Sequence, residues 1–223
     1  MTFFGGPGQR ESRVWIFDLD NTLHNATPHI FPYINRAMTD YIRRHLALDE
    51  AAAQALRQEY WRRYGATLTG LMRHHGIDPY HFLVETHDLG ALLPGLVCER
   101  GIRSMLQRLP GRKIVFSNGP RHYTEAILAH TGIADCFTAL YSVERVRFRP
   151  KPHPSGFHQL LRQEKANPRH CIMVEDSLAN LATAKRLGMK TVWINPGARL
   201  RRPPYVDAVL GSVMELPRRL NQL

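Results

Sequence analysis

The chain has 223 residues, 43% of them apolar, and carries 30 basic against 19 acidic side chains for a formal charge of +11. That is enough chain for one large domain or a core with an insert, and the apolar fraction excludes a disordered polymer. The basic excess admits nucleic acid, anionic substrates or plain solubility, and no apolar run approaches the length that spans a bilayer.

Residues 1–12, within MTFFGGPGQRESR, are Gly-rich and polar, so a loose tail without a secretory signal is expected, and with it a cytoplasmic location. Residues 13–17 are apolar and partly β-branched or aromatic, which predicts a buried strand. From residue 25 to 93 the pattern turns purely helical. Ile34, Met38, Tyr41, Ile42 and His45 keep helical spacing. Asp49 reads as the N-cap of a second helix that stops at Gly65, Thr67 opens a third, and Asp78-Pro79 opens a fourth. After Pro94-Gly95 strands and helices alternate. Helix around 102–109, strand 113–117, helix 125–131, strand 137–142, helix 154–165, strand 171–175, helix 177–188 with Ser177 as N-cap, and strand 191–195 follow in turn, and residues 207–216 close the chain. This alternation predicts an α/β fold, a Rossmann-like parallel sheet core with a helical cap inserted after the first strand. The expected division is a core of 13–24 and 94–223 around an insert of 25–93.

The predicted strands end on unusual residues. VWIF runs into Asp18-Leu19-Asp20, KIVF into Ser117-Asn118, and CIMV into Glu175-Asp176, while a basic loop holds Lys151 between two prolines. In an open parallel sheet, ligands bind outside the carboxyl ends of the strands. Packed carboxylates repel and need a cation or a proton to coexist. Asp18 and Asp176, with few thiols or paired histidines nearby in sequence, form a hard oxygen site suited to Mg²⁺. Lys151, Ser117 and Asn118 can neutralise phosphoryl oxygens. One aspartate can act as a nucleophile, and a second carboxyl two residues on can serve as acid and base.

The D-x-D-x-T, S-N, Lys and E-D motifs, in this order at strand ends, resemble the four motifs of the haloacid dehalogenase superfamily of Mg²⁺-dependent aspartyl-phosphate hydrolases. The resemblance runs over nearly all the chain beyond its first dozen residues. It implies Asp18 as nucleophile and Asp20 as general acid/base, with the Asp20 carbonyl also on the metal. It also implies Thr22 as loop support, Ser117 and Lys151 on the phosphoryl group, and Asp176 on Mg²⁺. Glu175 reaches the metal directly or through water. The segments DLDNTLH, YWRRYGATLTGLMRHHG, FSNGP and KPHPSGF are similar to the pyrimidine 5′-nucleotidase-like branch, which implies nucleoside monophosphates as substrates. The same motifs admit a β-phosphoglucomutase-like isomerase or a phosphatase of sugar phosphates or phosphoglycolate. A basic nucleic-acid-binding module is the alternative of a different class. Dedicated nucleic-acid binding is not expected, since no arginine cluster is interleaved with aromatics as a single-strand groove would be.

Other residues have plainer readings. Cys98, Cys136 and Cys171 are odd in number and far apart, which argues against a disulfide framework and for small buried hydrophobes. The spacings of His74, His75, His81 and His87 fit no zinc pair across one helical turn. Tyr64, Arg73 and His75 are candidates for base or ribose contacts, although core packing competes. His24 is expected at the entrance of the site, and Arg145, Arg147 and Arg149 along a solvated strand edge.

Overall fold

The computed structural model describes residues 13–197 and 201–220, so the loose tail expected at 1–12 lies outside the described residues. Strands β1 (Val14–Phe17), β2 (Arg112–Phe116), β3 (Ala139–Tyr141), β4 (Cys171–Glu175), β5 (Lys190–Ile194) and β6 (Ala208–Leu210) form one sheet in the order β3-β2-β1-β4-β5-β6. Every pairing is parallel. The connections move outward through β2 and β3 and then resume at β4 on the other side of β1. The switch in direction therefore falls between β1 and β4, where open α/β sheets bind ligands.

Both faces of β1 are buried, because its alternating side chains feed two separate cores. Trp15 and Phe17 join a core built with α6 (Ile102–Arg108) and α7 (Arg121–His130). Val14 and Ile16 point the other way, into a core with α8 (Pro154–Gln163) and α9 (Leu178–Arg186). A continuous apolar strand is the sequence signature of this two-sided burial.

The regular elements between β1 and β2 are all helices: α1 (Ile30–Leu46), α2 (Glu50–Tyr64), α3 (Thr67–His75), α4 (Pro79–Thr86) and the short α5 (Leu89–Leu92) precede α6. The Asp49 side chain accepts from the Ala52 amide and Gly65 ends α2 in the left-handed region; the Asp78 side chain likewise caps α4 ahead of Pro79. These helices enclose their own core of Tyr41, Ile42, Ala53, Tyr60, Leu68, Leu71, Phe82 and Leu83, joined by Val143 from the loop after β3. Helix α1 belongs to two cores, with Ile30 and Ile34 in the sheet-side cluster and Tyr41 and Ile42 in the helical one. Among the described residues, no helix is long and apolar enough to cross a membrane.

Several local expectations need correction. Helix α7 starts at Arg121 rather than near 125, because both carboxylate oxygens of Glu144 accept from the Arg121 amide at 2.9 and 3.0 Å. Ser177 holds the N-cap position of α9, but its side chain makes no capping bond. Residues 207–216 divide into β6 and a 3₁₀ turn over Val213–Arg218 that Ser212 and Glu215 close as a capping box. The chain turns after β3, with Arg147 and Phe148 at positive φ, so Arg145, Arg147 and Arg149 form no strand edge. Arg145 instead lies 3.8 Å from the Tyr141 ring centre and donates to the Leu140 carbonyl. Of the cysteines only Cys171 is buried; Cys98 and Cys136 are partly exposed.

Two features of the helical block are testable. A Cβ at Gly70 would lie 2.2 Å from Tyr60 Cγ, so α3 meets α2 at a contact only glycine permits. An alanine in a helix normally adds about 1 kcal/mol over glycine, whereas overpacking costs about 1–3. Gly70→Ala is therefore expected to destabilise the protein by a net of up to about 2 kcal/mol, read from chemical denaturation; a more stable variant would refute the contact. His87 is buried, and burial first of all lowers its pKa from the ordinary 6.5 to about 4. The folded protein thus holds His87 neutral while the unfolded chain protonates it, and stability falls as pH drops from about 6.5 to about 4. His87→Gln should flatten the melting-temperature profile in that window, and an unchanged slope would show that His87 does not contribute.

Candidate active site

The carboxyl ends of β1, β2 and β4 meet at one rim of the sheet. Lys151 comes from the loop before α8, and its ammonium sits between Asp18 Oδ1 and Glu175 Oε2 at 2.7 Å from each. All three side chains are almost fully buried. Asp176 completes the group: Asp18, Glu175 and Asp176 each offer an oxygen within 4.8 Å of the others. Thr22 donates to the second oxygen of Asp18 at 3.5 Å.

Three carboxylates around one ammonium leave surplus negative charge in a desolvated site. Burial first, then Glu175, pushes the Asp18 carboxyl up to about 7. Burial also pushes Glu175 up to about 7, with Asp176 adding to it, and burial and Asp18 raise Asp176. Burial alone would lower Lys151, but the two carboxylates outweigh it and hold its pKa above the lysine range. The four groups form one coupled set in which the ammonium stays charged and a further cation is favoured. The donors are hard oxygens only, so the residues present fit a small divalent ion such as Mg²⁺.

The loop after β1 is shaped by Asn21. Its φ of 57° lies in the left-handed region, which asparagine tolerates better than most residues. Its Oδ1 accepts from the Ala26 amide at 3.0 Å and from the Thr27 hydroxyl at 3.0 Å, while its side chain also hydrogen-bonds Asp176. Asn21 thus ties the β1 loop to the β4 loop, a role the sequence reading missed. An asparagine just after the strand end, a residue type that tolerates left-handed turns, was the available signal.

The structure gives Ser117, Asn118 and Glu175 defined partners. Ser117 is fully buried at the end of β2, and its Oγ accepts from the Gly119 amide at 2.9 Å, which leaves the hydroxyl proton free to donate. Asn118, expected on the substrate, has its amide engaged elsewhere: Nδ2 donates to the Lys151 carbonyl at 2.9 Å and Oδ1 accepts from the Lys151 amide at 2.8 Å. It therefore fixes the backbone that carries the ammonium. Glu175, expected at the metal, is shared between Lys151 and the Ser177 amide, which donates to Oε1 at 3.2 Å.

Asp20 is set apart from this cluster. Its Oδ1 accepts from the Tyr123 hydroxyl at 2.5 Å and faces His24 Nε2 at 3.0 Å. Burial acts to raise its pKa, but the hydrogen bonds and charge from His24 and the bond from Tyr123 outweigh it and lower the carboxyl below its ordinary value. The His24 side chain is fully buried with its ring turned onto Asp20, while the residue itself contributes to the wall of a cavity beside Asp176. Tyr123 was not singled out in the sequence, since a tyrosine in an amphipathic helix ordinarily reads as core.

The outer candidates separate too. His74 pairs with the Tyr64 hydroxyl and His75 with the Tyr60 hydroxyl, at 2.6 and 2.8 Å. The Arg63 and Arg73 guanidiniums lie 5.4 and 6.0 Å from the Tyr64 ring centre. Gly65, next in sequence, packs against the Lys151-Pro152 loop. A cavity of about 430 Å³ opens beside Asp176, lined in part by Asn21, Asn25, Thr27, Asn195 and Ser212.

Residues 13–188 match the family haloacid dehalogenase-like hydrolase. Phosphate metabolism protein 8 of Saccharomyces cerevisiae is 23% identical over 193 residues, covering 79% of this chain, and the alignment spans 60% of that protein's length. Validoxylamine A 7'-phosphate phosphatase of Streptomyces hygroscopicus subsp. limoneus is 26% identical over 92% of this chain and 95% of its own. Among solved structures, a HAD phosphatase from Thermococcus onnurineus superposes with a TM-score of 0.68 at 23% identity, over 94% of this chain and 98% of the other. With a match that takes in both Asp18 and Asp176, the chain belongs to the haloacid dehalogenase-like hydrolases.

Proposed function

We propose that the protein is a Mg²⁺-dependent phosphomonoesterase that works through an aspartyl-phosphate on Asp18. The observation that carries this reading is the Lys151 ammonium 2.7 Å from Asp18 Oδ1, in a buried site with two further carboxylates. A dianionic phosphate brings its own charge into that site, so the cluster needs more positive charge than one lysine supplies. Asp18 and Asp176, with the Asp20 backbone carbonyl, would hold Mg²⁺, which when bound offsets charge on the phosphoryl group.

This chain's own groups do the rest. Lys151 and the Ser117 hydroxyl hold phosphoryl oxygens, and Asn118 keeps Lys151 in place. An Asp18 oxygen attacks phosphorus as the bond to the leaving alcohol breaks, and Asp20 gives that alcohol a proton. Water, deprotonated by Asp20, then attacks the aspartyl-phosphate and regenerates Asp18. The helices within 25–93 serve as the cap that excludes bulk water during transfer and opens for exchange.

For the substrate we infer nucleoside 5′-monophosphates. Tyr64 with its two guanidiniums supports this reading, since the pair offers stacking and positive charge next to the Lys151 loop. Sugar or polyol phosphates are the second reading, favoured by the amides and hydroxyls of the cavity beside Asp176 and by the substrate in the name of the Streptomyces relative.

Asp18→Asn should lower phosphate release by about 10³-fold or more without loss of fold, and turnover at the wild-type rate would remove Asp18 as nucleophile. Chelation should abolish activity and added Mg²⁺ restore it; activity that survives exhaustive chelation would contradict the metal assignment. Across a panel of UMP, CMP, dTMP, AMP, flavin mononucleotide and sugar phosphates, the highest kcat/KM is expected for a nucleotide. A sugar phosphate in first place would select the second reading.

A further inference from the structure

The bonds around Asp20 address a question that the phosphatase reading leaves open: which of its two oxygens handles the proton. Tyr123 and His24 both converge on Oδ1, at 2.5 and 3.0 Å, and lie 3.4 Å from each other. They reach it from different parts of the chain. His24 is four residues along the same loop, held by a backbone bridge to Asp20. Tyr123 comes from the first turn of α7.

Each donor is fixed in turn. Tyr123 is 1% exposed, with the His87 ring at its edge, 5.5 Å between centres. Gly119 gives the tyrosine ring its room, because a Cβ there would stand 3.0 Å from Tyr123 Cδ1. The His24 side chain is fully buried, and among the described residues its Nδ1 has no hydrogen-bond partner. Among the described residues its polar contacts are thus Asp20 and Tyr123, both at Nε2. A nitrogen facing a carboxylate oxygen is a donor, so Nε2 carries a proton.

Resting on the phosphatase reading, we propose that Tyr123 and His24 are positioning residues for proton transfer: they occupy Oδ1 of Asp20 and leave Oδ2 as the oxygen that exchanges the proton. With both donors on Oδ1 the carboxyl rests ionised, so in the first step a proton that Oδ2 has taken from solvent passes to the leaving oxygen as its bond to phosphorus breaks and the Asp18–phosphorus bond forms. In the second, the attacking water gives a proton back to Oδ2 as the Asp18–phosphorus bond breaks. Without its two donors the carboxyl is free to rotate, and Oδ2 loses its fixed aim.

The test uses leaving groups of different basicity. Para-nitrophenolate departs with little help from an acid, whereas an alkoxide needs a proton. For Tyr123→Phe, which keeps the ring, the loss in kcat/KM on an alkyl phosphate should exceed the loss on para-nitrophenyl phosphate by about tenfold or more. His24→Leu should show the same imbalance, and His24→Gln, whose amide nitrogen can replace Nε2, should reduce it. Melting temperatures taken alongside identify any variant that loses its fold, and the ratio between substrates is independent of the fraction folded. Equal losses on both substrates, or no loss on either, would overturn the proposal. Wild-type enzyme that releases no phosphate from either ester, or an Asp18→Asn variant as active as wild type, would instead overturn the phosphatase reading beneath it.

Discussion

A single buried ammonium sets the conditions for everything else at this rim. Lys151 is 1% exposed and touches both Asp18 and Glu175. Burying one charge in a protein interior is costly unless partners meet it with good geometry. Here the partners come from the ends of two neighbouring strands, β1 and β4, and the lysine comes from a third segment. The Asn118 amide, at the end of β2, clamps the lysine's backbone from both sides. The ion pair and the clamp together tie three strand ends to one loop, so the sheet's registry and the geometry of the carboxylates become the same constraint.

That constraint also separates two aspartates that lie one residue apart. Asp18 faces Lys151 and two carboxylates and has a raised pKa; Asp20 faces a phenol and an imidazole and has a lowered one. Burial disfavours the charged form of both, so the difference lies in the neighbours. Tertiary packing assigns them different environments although the local sequence treats them alike.

Much of the fold was legible because the apolar runs are unambiguous. VWIF and CIMVE read as strands buried on both faces, and Asp49, Gly65 and Asp78-Pro79 marked helix ends that the structure keeps. The positions of Asp18, Ser117, Lys151 and Asp176 were legible for the same reason, as polar groups at the ends of apolar strands or in a rigid loop. What the sequence hid was pairing. Glu144 capping α7, Asn118 bonding the Lys151 backbone and Tyr123 reaching Asp20 join residues 23, 33 and 103 positions apart. No local periodicity encodes such contacts, and each involves a residue type with several ordinary uses. His24 lines the cavity as its place in the sequence suggests, but proximity in sequence says nothing about which way its ring turns.

Helix α1 makes the helical block something other than a hinged lid on two strings. Its 17 residues span about 25 Å as one rod, with one end seated under the sheet and the other in the block's interior. A rod anchored at both ends transmits torque. Any swing of the block would therefore flex that rod or unseat Ile30 and Ile34, so the placement of the block and the packing beneath the sheet are mechanically linked.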